Sequence, residues 1–337
     1  MQSDLLNRVK KMALLCKAAR FLFQTYDRSR LLQLYHLLKK YDLEALLQKI
    51  QIADGLFVKN FPPGHFYSPL PDIDEIRSAR NSIFGKKDAI PDIELNDAKQ
   101  VSLFKEFSKY YPEIPFPSDK KEGLHYYFNN SFFSYGDGVI LYSFLRHYNP
   151  KKVIEVGSGF SSALMLDTSK KFLESKVDFT FIEPFPDRLE QIAGKSGENF
   201  KLIKDSVQNV DLSVFQKLEE GDILFIDSSH VGKIGSDVLH ILFNILPTLK
   251  SGVLIHFHDI FWPFEYPESW VENGRAWNEC YLLRAFLACN RNYEMMFFNS
   301  YFAEKHRNLV TDIAPLMLEM TEFDFNFPNA SVWLRKR

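Results

Sequence analysis

The chain has 337 residues, 46% hydrophobic and 25% charged, with 41 Lys and Arg against 43 Asp and Glu. That balance excludes a disordered or low-complexity chain, and a formal net charge of −2 gives no basic field to draw in nucleic acid. Cys16, Cys280 and Cys289 are too few and too scattered for a disulfide framework or a zinc ribbon, which fits a reducing, cytoplasmic setting.

Residues 1–53 read as a helical N-terminal extension. Leu5, Leu6, Val9, Met12, Ala13 and Cys16 recur at spacings of three and four, and Leu31, Leu32, Leu34, Leu37 and Leu38 begin a second run. The stretch is basic, with Arg8, Lys10, Lys11, Lys17 and Arg20 facing few acids. A basic amphipathic helix can rest on an anionic membrane surface. Packing on the main domain, or on a second copy in a homo-oligomer, is the preferred reading, because such patterns are common in helices of soluble proteins. No apolar run approaches the roughly 18–20 residues of a membrane span. Residues 54–121 carry Phe61-Pro62-Pro63-Gly64-His65 and Ser68-Pro69-Leu70-Pro71-Asp72, which predicts a Pro-rich connector or lid with little regular structure.

From residue 122 to 337 the pattern alternates. Strands are predicted at Lys152–Val156, Phe179–Glu183, Phe200–Ile203, Asp222–Asp227, Gly252–His258, Tyr293–Ser300 and Ser331–Arg335, with helices at Ser161–Ser175, Pro186–Ala193, Gly235–Leu249 and Trp277–Ala288 between them. Short apolar runs separated by helices predict an α/β domain with a doubly wound, mostly parallel seven-stranded sheet. Ligands in such sheets bind at the carboxyl ends of the strands.

The first strand runs into Gly157-Ser158-Gly159 and then a helix. Glycines there let the backbone turn tightly beside a ligand, and the helix start offers free N–H groups. The next strand ends at Glu183, 24 positions after Gly159, where a carboxylate can accept from both hydroxyls of an adenosine ribose. A dinucleotide site wants a third glycine at the sixth position of Gly-x-Gly-x-x-Gly, and here that residue is Ser162. An NAD(P)-dependent oxidoreductase is therefore the weaker alternative.

On these residues the chain resembles the class I S-adenosylmethionine-dependent methyltransferases. Glu155-Val156-Gly157-Ser158-Gly159 is similar to their first motif, Glu183 to their ribose-binding acid, and Lys204-Asp205-Ser206-Val207-Gln208 to the loop that contacts adenine. Gly221–Asp227 resembles their fourth-strand motif. The resemblance implies a Rossmann-like fold ending in an antiparallel edge strand, which Ala330–Leu334 can supply, and S-adenosyl-L-methionine as cofactor. It implies cofactor contacts at Glu155, Gly157, Ser158, Gly159, Glu183, Asp205, Ser206 and Asp227, with Tyr135 and Asp137 covering the methionine end. Read as turn chemistry alone, Ser134-Tyr135-Gly136-Asp137-Gly138 needs no ligand.

Beyond the cofactor, the fourth strand leads into Asp227-Ser228-Ser229-His230 and the fifth ends His256-Phe257-His258-Asp259. Neighbouring parallel strands bring Asp227, His230, His258 and Asp259 to one rim as candidate catalytic residues. Three roles compete there. A divalent metal on Asp227, His258 and Asp259 can lower the pKa of a substrate hydroxyl, an imidazole can act as general base, or the polar groups only order loops. Related O-methyltransferases commonly place Asp-Asn on the fifth strand, and His258-Asp259 departs from that. The Phe261–Trp270 segment, rich in Pro and aromatics, is expected to wall an acceptor pocket, whereas Trp277, Glu279, Tyr281 and Arg284 read as packing or surface positions of a helix. The expected activity is O-methylation of a small molecule or glycan. A non-catalytic S-adenosylmethionine-binding assembly protein is a further alternative.

Overall fold

The computed structural model describes residues 61, 63–173, 177–194, 200–323 and 327–337. They fall into two units, Met1–Ser78 and Ala79–Arg337. The expected helices of residues 1–53 lie outside the described residues. In the first unit a short helix, Ile73–Ser78, begins where Asp72 Oδ1 accepts from the Asp74 and Glu75 N–H groups at 2.7 and 3.1 Å. Among the described residues no helix is long and apolar enough to cross a membrane.

The second unit is built on seven strands: β1 (Lys152–Val156), β2 (Asp178–Ile182), β3 (Lys201–Ile203), β4 (Ile223–Ile226), β5 (Leu254–His258), β6 (Tyr293–Phe298) and β7 (Ser331–Lys336). Their order is β3-β2-β1-β4-β5-β7-β6. The strands β1 to β5 pair in parallel, and β7 enters antiparallel between β5 and β6. The sheet is thus the expected α/β arrangement, with the chain reversal between β1 and β4 where ligands bind.

Side chains alternate across the sheet and sort into two cores. Ile154, Val156, Leu224, Ile226, Ile255 and Leu334 face one way, onto Leu242 and Ile245. Val153, Phe179, Phe225, Leu254 and Trp333 face the other. There they meet α2 (Tyr135–Tyr148) and α3 (Phe160–Phe172). Phe144 of α2 stacks on Trp333 at 3.9 Å between ring centroids.

Three segments differ from expectation. The stretch 79–121 holds regular structure, chiefly α1 (Asp97–Phe107), because Leu103, Phe104 and Phe107 recur on one helical face and pack into the second core. Asn96 Nδ2 donates to the Met295 carbonyl (3.1 Å), and the Phe298 N–H donates to Gln100 Oε1 (2.9 Å), tying α1 to β6. Ser134-Tyr135-Gly136-Asp137-Gly138 is the start of α2 rather than a turn. A side chain at Gly136 would overlap Asn329 and the Pro328 carbonyl. The helix expected over Gly235–Leu249 is broken into three pieces: a helical turn at Asp237–His240, a wider turn at Ile241–Ile245 and a tight one at Leu246–Thr248. Pro247 explains the break, since it brings no N–H to a regular ladder.

Candidate active site

The glycine-loop end of the site grows from β1. Past the strand, the Gly157 N–H donates to the Ile182 carbonyl (3.0 Å) and the Asp227 N–H to the Val156 carbonyl (2.8 Å). This draws the loops after β1, β2 and β4 together. Gly157 has φ of +78°, and a Cβ there would overlap the Asp227 carbonyl oxygen. Ser162, in place of a third glycine, closes the loop with hydrogen bonds: its Oγ accepts from the Gly159 N–H at 2.9 Å and bonds Glu155 Oε2.

Glu155 is fully buried beneath this loop, where the Ser161 hydroxyl also donates to it at 2.6 Å. Burial pushes its carboxyl up to about 8, against the opposing pull of the two serine hydroxyls. Folding then favours the protonated form. The stabilisation from this group is complete below the ordinary value near 4.5 and is lost as pH rises through 8. Glu155→Gln, which cannot ionise, is expected to flatten the fall in melting temperature between pH 5 and 8. Parallel thermal melts of the two proteins across that range measure it.

Glu183 follows β2 and holds two loops at once. Its Oε2 accepts from the Ser158 N–H (3.1 Å) and its Oε1 from the Phe185 N–H (2.8 Å). Each oxygen keeps a second lone pair for a ribose hydroxyl. A cleft of about 420 Å³ opens here, lined by Gly157, Glu183, Ser206, Val207, Gln208 and Asp227, among others. Asp205 stands outside that lining and instead fixes the turn after β3, accepting from the Ser206 N–H (2.7 Å) and Asn209 (2.8 Å). A larger cavity, about 730 Å³, lies beside β6 and contains none of the motif residues.

Tyr135 and Asp137 do not line the cleft. Tyr135 stacks on Phe128 with centroids 5.2 Å apart. Asp137 is buried, accepting from Asn299 Nδ2 (2.7 Å) and the Ala330 N–H (2.9 Å), with Oδ2 lying 3.6 Å from His258 Nε2.

The four expected rim residues converge. His230 Nε2 lies 3.4 Å from Asp227 Oδ1 and 3.4 Å from Asp259 Oδ2. His258 Nδ1 lies 3.5 Å from Asp227 Oδ1 and 3.7 Å from Asp259 Oδ1. Both His230 and Asp259 turn sharply off their strands with φ near +60° and +55°, a backbone state that costs a non-glycine residue energy and clusters at functional sites. His256, on the same face of β5, stays apart: it stacks on Phe225 at 3.7 Å, and burial, followed by the neighbouring His258, depresses its pKa.

Sequence reasoning missed Glu279. It opens the helix Glu279–Leu287, is buried, and its Oε2 lies 2.8 Å from His230 Nδ1 while Oε1 accepts from the Ser228 hydroxyl at 2.9 Å. The aromatic segment after β5 also differs from expectation. Phe261, Phe264, Tyr266 and Trp270 are buried in the core and do not wall an open pocket. Trp277 lies against the cluster, 4.5 Å from the His230 ring, as Phe133 does at 5.2 Å from the His258 ring.

Four carboxylates thus surround two imidazoles. Burial disfavours charging His230, but Asp227, Glu279 and Asp259 outweigh it and push its pKa up to about 10. Burial opposes His258 in the same way, and Asp259, Asp227 and Asp137 raise it well above the ordinary value. Burial works against Asp227 ionising, yet the two histidines hold its carboxyl well below the usual range. Asp259 is shifted upward, chiefly by burial. An imidazole already protonated at neutral pH accepts no substrate proton, so the cluster can stabilise an oxyanion more readily than it can supply a histidine base.

A family model described as a methyltransferase domain matches residues 154–260, which run from β1 through Asp259. An uncharacterized protein of Archaeoglobus fulgidus is 34% identical over 194 residues, covering 56% of this chain and 88% of its own length. Residues 154–260 thus carry a methyltransferase domain. Among solved structures, an O-methyltransferase of Bacillus cereus in complex with SAH is 11% identical at TM-score 0.36, covering 78% of the methyltransferase and 97% of that chain. TomG of Streptomyces achromogenes, in complex with SAM, is 11% identical at TM-score 0.37, covering 78% and 96%. The Gly157–Glu183 cleft has the donors and acceptors to receive a nucleoside.

Proposed function

We propose that the methyltransferase methylates a hydroxyl oxygen of a small molecule or glycan, activated by Asp227, His230, His258 and Asp259. Residues 122–337 carry the reaction, with 1–53 and 54–121 accessory to it. The observation behind the reading is Asp227, which lines the cleft and also belongs to the acid–imidazole cluster. A hydroxyl next to the cofactor therefore meets that cluster.

Bound S-adenosylmethionine supplies a methyl group on a sulfonium, whose leaving group is a neutral thioether. A divalent cation, where bound, acidifies and orients the hydroxyl. The chain's own residues do the rest. Gly157, Ser158 and Gly159 place their backbone against the nucleoside, and Glu183 takes the ribose hydroxyls. Asp259 accepts the hydroxyl proton as the new carbon–oxygen bond forms, and the imidazole charges stabilise the oxygen meanwhile. Burial raises the Asp259 pKa, which suits it to that exchange better than Asp227.

Calorimetric titration with S-adenosylhomocysteine, with NADPH as comparison, tests the cofactor assignment. Glu183→Ala is expected to weaken S-adenosylhomocysteine by about 10- to 100-fold, the loss expected for hydrogen bonds to a charged group. Undiminished affinity would remove Glu183 from the site. Release of S-adenosylhomocysteine over paired hydroxyl and amine acceptors then tests O-methylation, and turnover confined to amines would refute it.

A further inference from the structure

We propose that Glu279 is the positioning residue of the candidate active site: its carboxylate holds the Nδ1 edge of His230, so that Nε2 is the edge turned toward Asp227 and Asp259. The proposal rests on the functional reading above for the use made of His230. The orientation of the ring is a property of these side chains and is tested separately.

His230 Nδ1 and Glu279 Oε2 are 2.8 Å apart, and both residues are buried, at 5% and 1% exposed. An ionised carboxylate only accepts, so Nδ1 is the donor. The carboxylate is itself fixed for that part. Its Oε1 accepts from the Ser228 hydroxyl at 2.9 Å, and Ser228 Oγ in turn accepts from the His230 N–H at 3.1 Å. Glu279 is also the first residue of its helix, where unpaired N–H groups favour a negative side chain. With Nδ1 committed, Nε2 is left 3.4 Å from Asp227 Oδ1 and 3.4 Å from Asp259 Oδ2.

Fastening the helix to the loop after β4 does not need this carboxylate. The Asn278 and Glu279 N–H groups both donate to the His230 carbonyl at 3.1 Å. Asn278 bonds Gly232 in both directions, Oδ1 accepting from its N–H and Nδ2 donating to its carbonyl at 3.1 Å. Leu282 stands so close to Gly232 that a Cβ there would overlap it. An apolar side chain at position 279 would complete such a contact at lower cost, since a buried charge gives up its hydration.

What the carboxylate adds is direction. Trp277 lies against the imidazole with ring centroids 4.5 Å apart and planes 37° apart, which limits its tilt. The bond at Nδ1 is what tells one edge of the ring from the other. A half-turn about the Cβ–Cγ bond would put carbon where both nitrogens now stand, and Nε2 would leave the cleft rim. Serine hydrolases meet the same need with a buried carboxylate behind the working imidazole.

Magnetic resonance of the full chain, labelled in its histidines, tests the orientation without any acceptor. His230 is expected to show a downfield proton bound to Nδ1, assigned by its loss in His230→Ala. Glu279→Gln is expected to shift that proton upfield or abolish it, because a neutral amide is the weaker acceptor. S-adenosylhomocysteine affinity within a few-fold of wild type shows that the variant is folded. In single turnovers on a hydroxyl acceptor, Glu279→Gln is expected to slow methyl transfer by about 10²-fold, the cost of a misplaced catalytic group, with KM nearly unchanged. On a His230→Ala background the same change is expected to cost nothing more.

A His230 ring with no proton on Nδ1, or a signal unmoved in folded Glu279→Gln, overturns the orientation. Equal losses from Glu279→Gln with and without His230 overturn action through that ring and make the carboxylate a packing group. Should Glu279→Gln not fold, Glu279→Met, of similar length, takes its place and is expected to lose the signal. The expected Nδ1 proton in a protein that methylates amines and no hydroxyl would sink the functional reading and leave the hold of Glu279 on the ring standing.

Discussion

His258→Ala is expected to lower hydroxyl methylation by about 10²- to 10⁴-fold, the range for removing a group that manages proton or charge at the reacting atom. The imidazole lies between Asp227 and Asp259 on one side and Asp137 on the other. Without it three carboxylates face a buried space with only His230 to balance two of them, and the oxyanion loses a positive neighbour. His258 is absent from the cleft lining, so S-adenosylhomocysteine affinity is expected to stay within a few-fold of wild type. Initial rates of S-adenosylhomocysteine release, measured beside binding titrations of the same preparations, separate the two effects. A wild-type rate in a folded variant would take His258 out of the chemistry.

The second large effect is expected at Gly157. An alanine there meets two penalties. A left-handed backbone costs a non-glycine residue about 1–2 kcal/mol. Its Cβ also overlaps a backbone oxygen, that of Asp227, which is held by the β1–β4 ladder and cannot rotate aside. Together they are expected to destabilise the fold by about 3 kcal/mol or more, as overpacking against fixed backbone does. Relief would come by pushing the Asp227 loop outward, so surviving folded protein is expected to bind S-adenosylhomocysteine weakly. Urea unfolding and titration of the same variant measure both, and an alanine variant with wild-type midpoint and affinity would contradict the geometry.

Much of this was legible in the sequence because it is written locally. Short apolar runs such as Val153–Val156 and Leu254–Phe257 announce buried strands, and β1 falls at Lys152–Val156 as its pattern predicts. Glycines between a strand and a helix, and acids at strand ends, mark the cleft and its rim. What stayed hidden depends on tertiary contact. Gly136 and Gly138 look like turn residues because the sequence cannot show that Asn329 and Tyr126 crowd them. Glu279 opens an ordinary amphipathic helix, and only the path of the chain brings it to His230. The Phe261–Trp270 aromatics look like a binding wall, yet their rings pack edge-to-face among themselves and against Phe327 and Phe298.

The side chains of Asn96 and Gln100 bear on colloidal behaviour. A last strand with the sequence Tyr293-Glu294-Met295-Met296-Phe297-Phe298 is a template for cross-strand association between molecules, being long, apolar and rich in β-formers. The amide groups of α1 occupy the backbone at Met295 and Phe298 that a stray strand would seek, and the register shift between Met295 and Phe297 further spoils its flatness. Asn96 and Gln100 therefore guard this border of the sheet against fibre-like assembly. Expression pieces that begin at residue 122 leave that guard behind and carry a sticky border into solution.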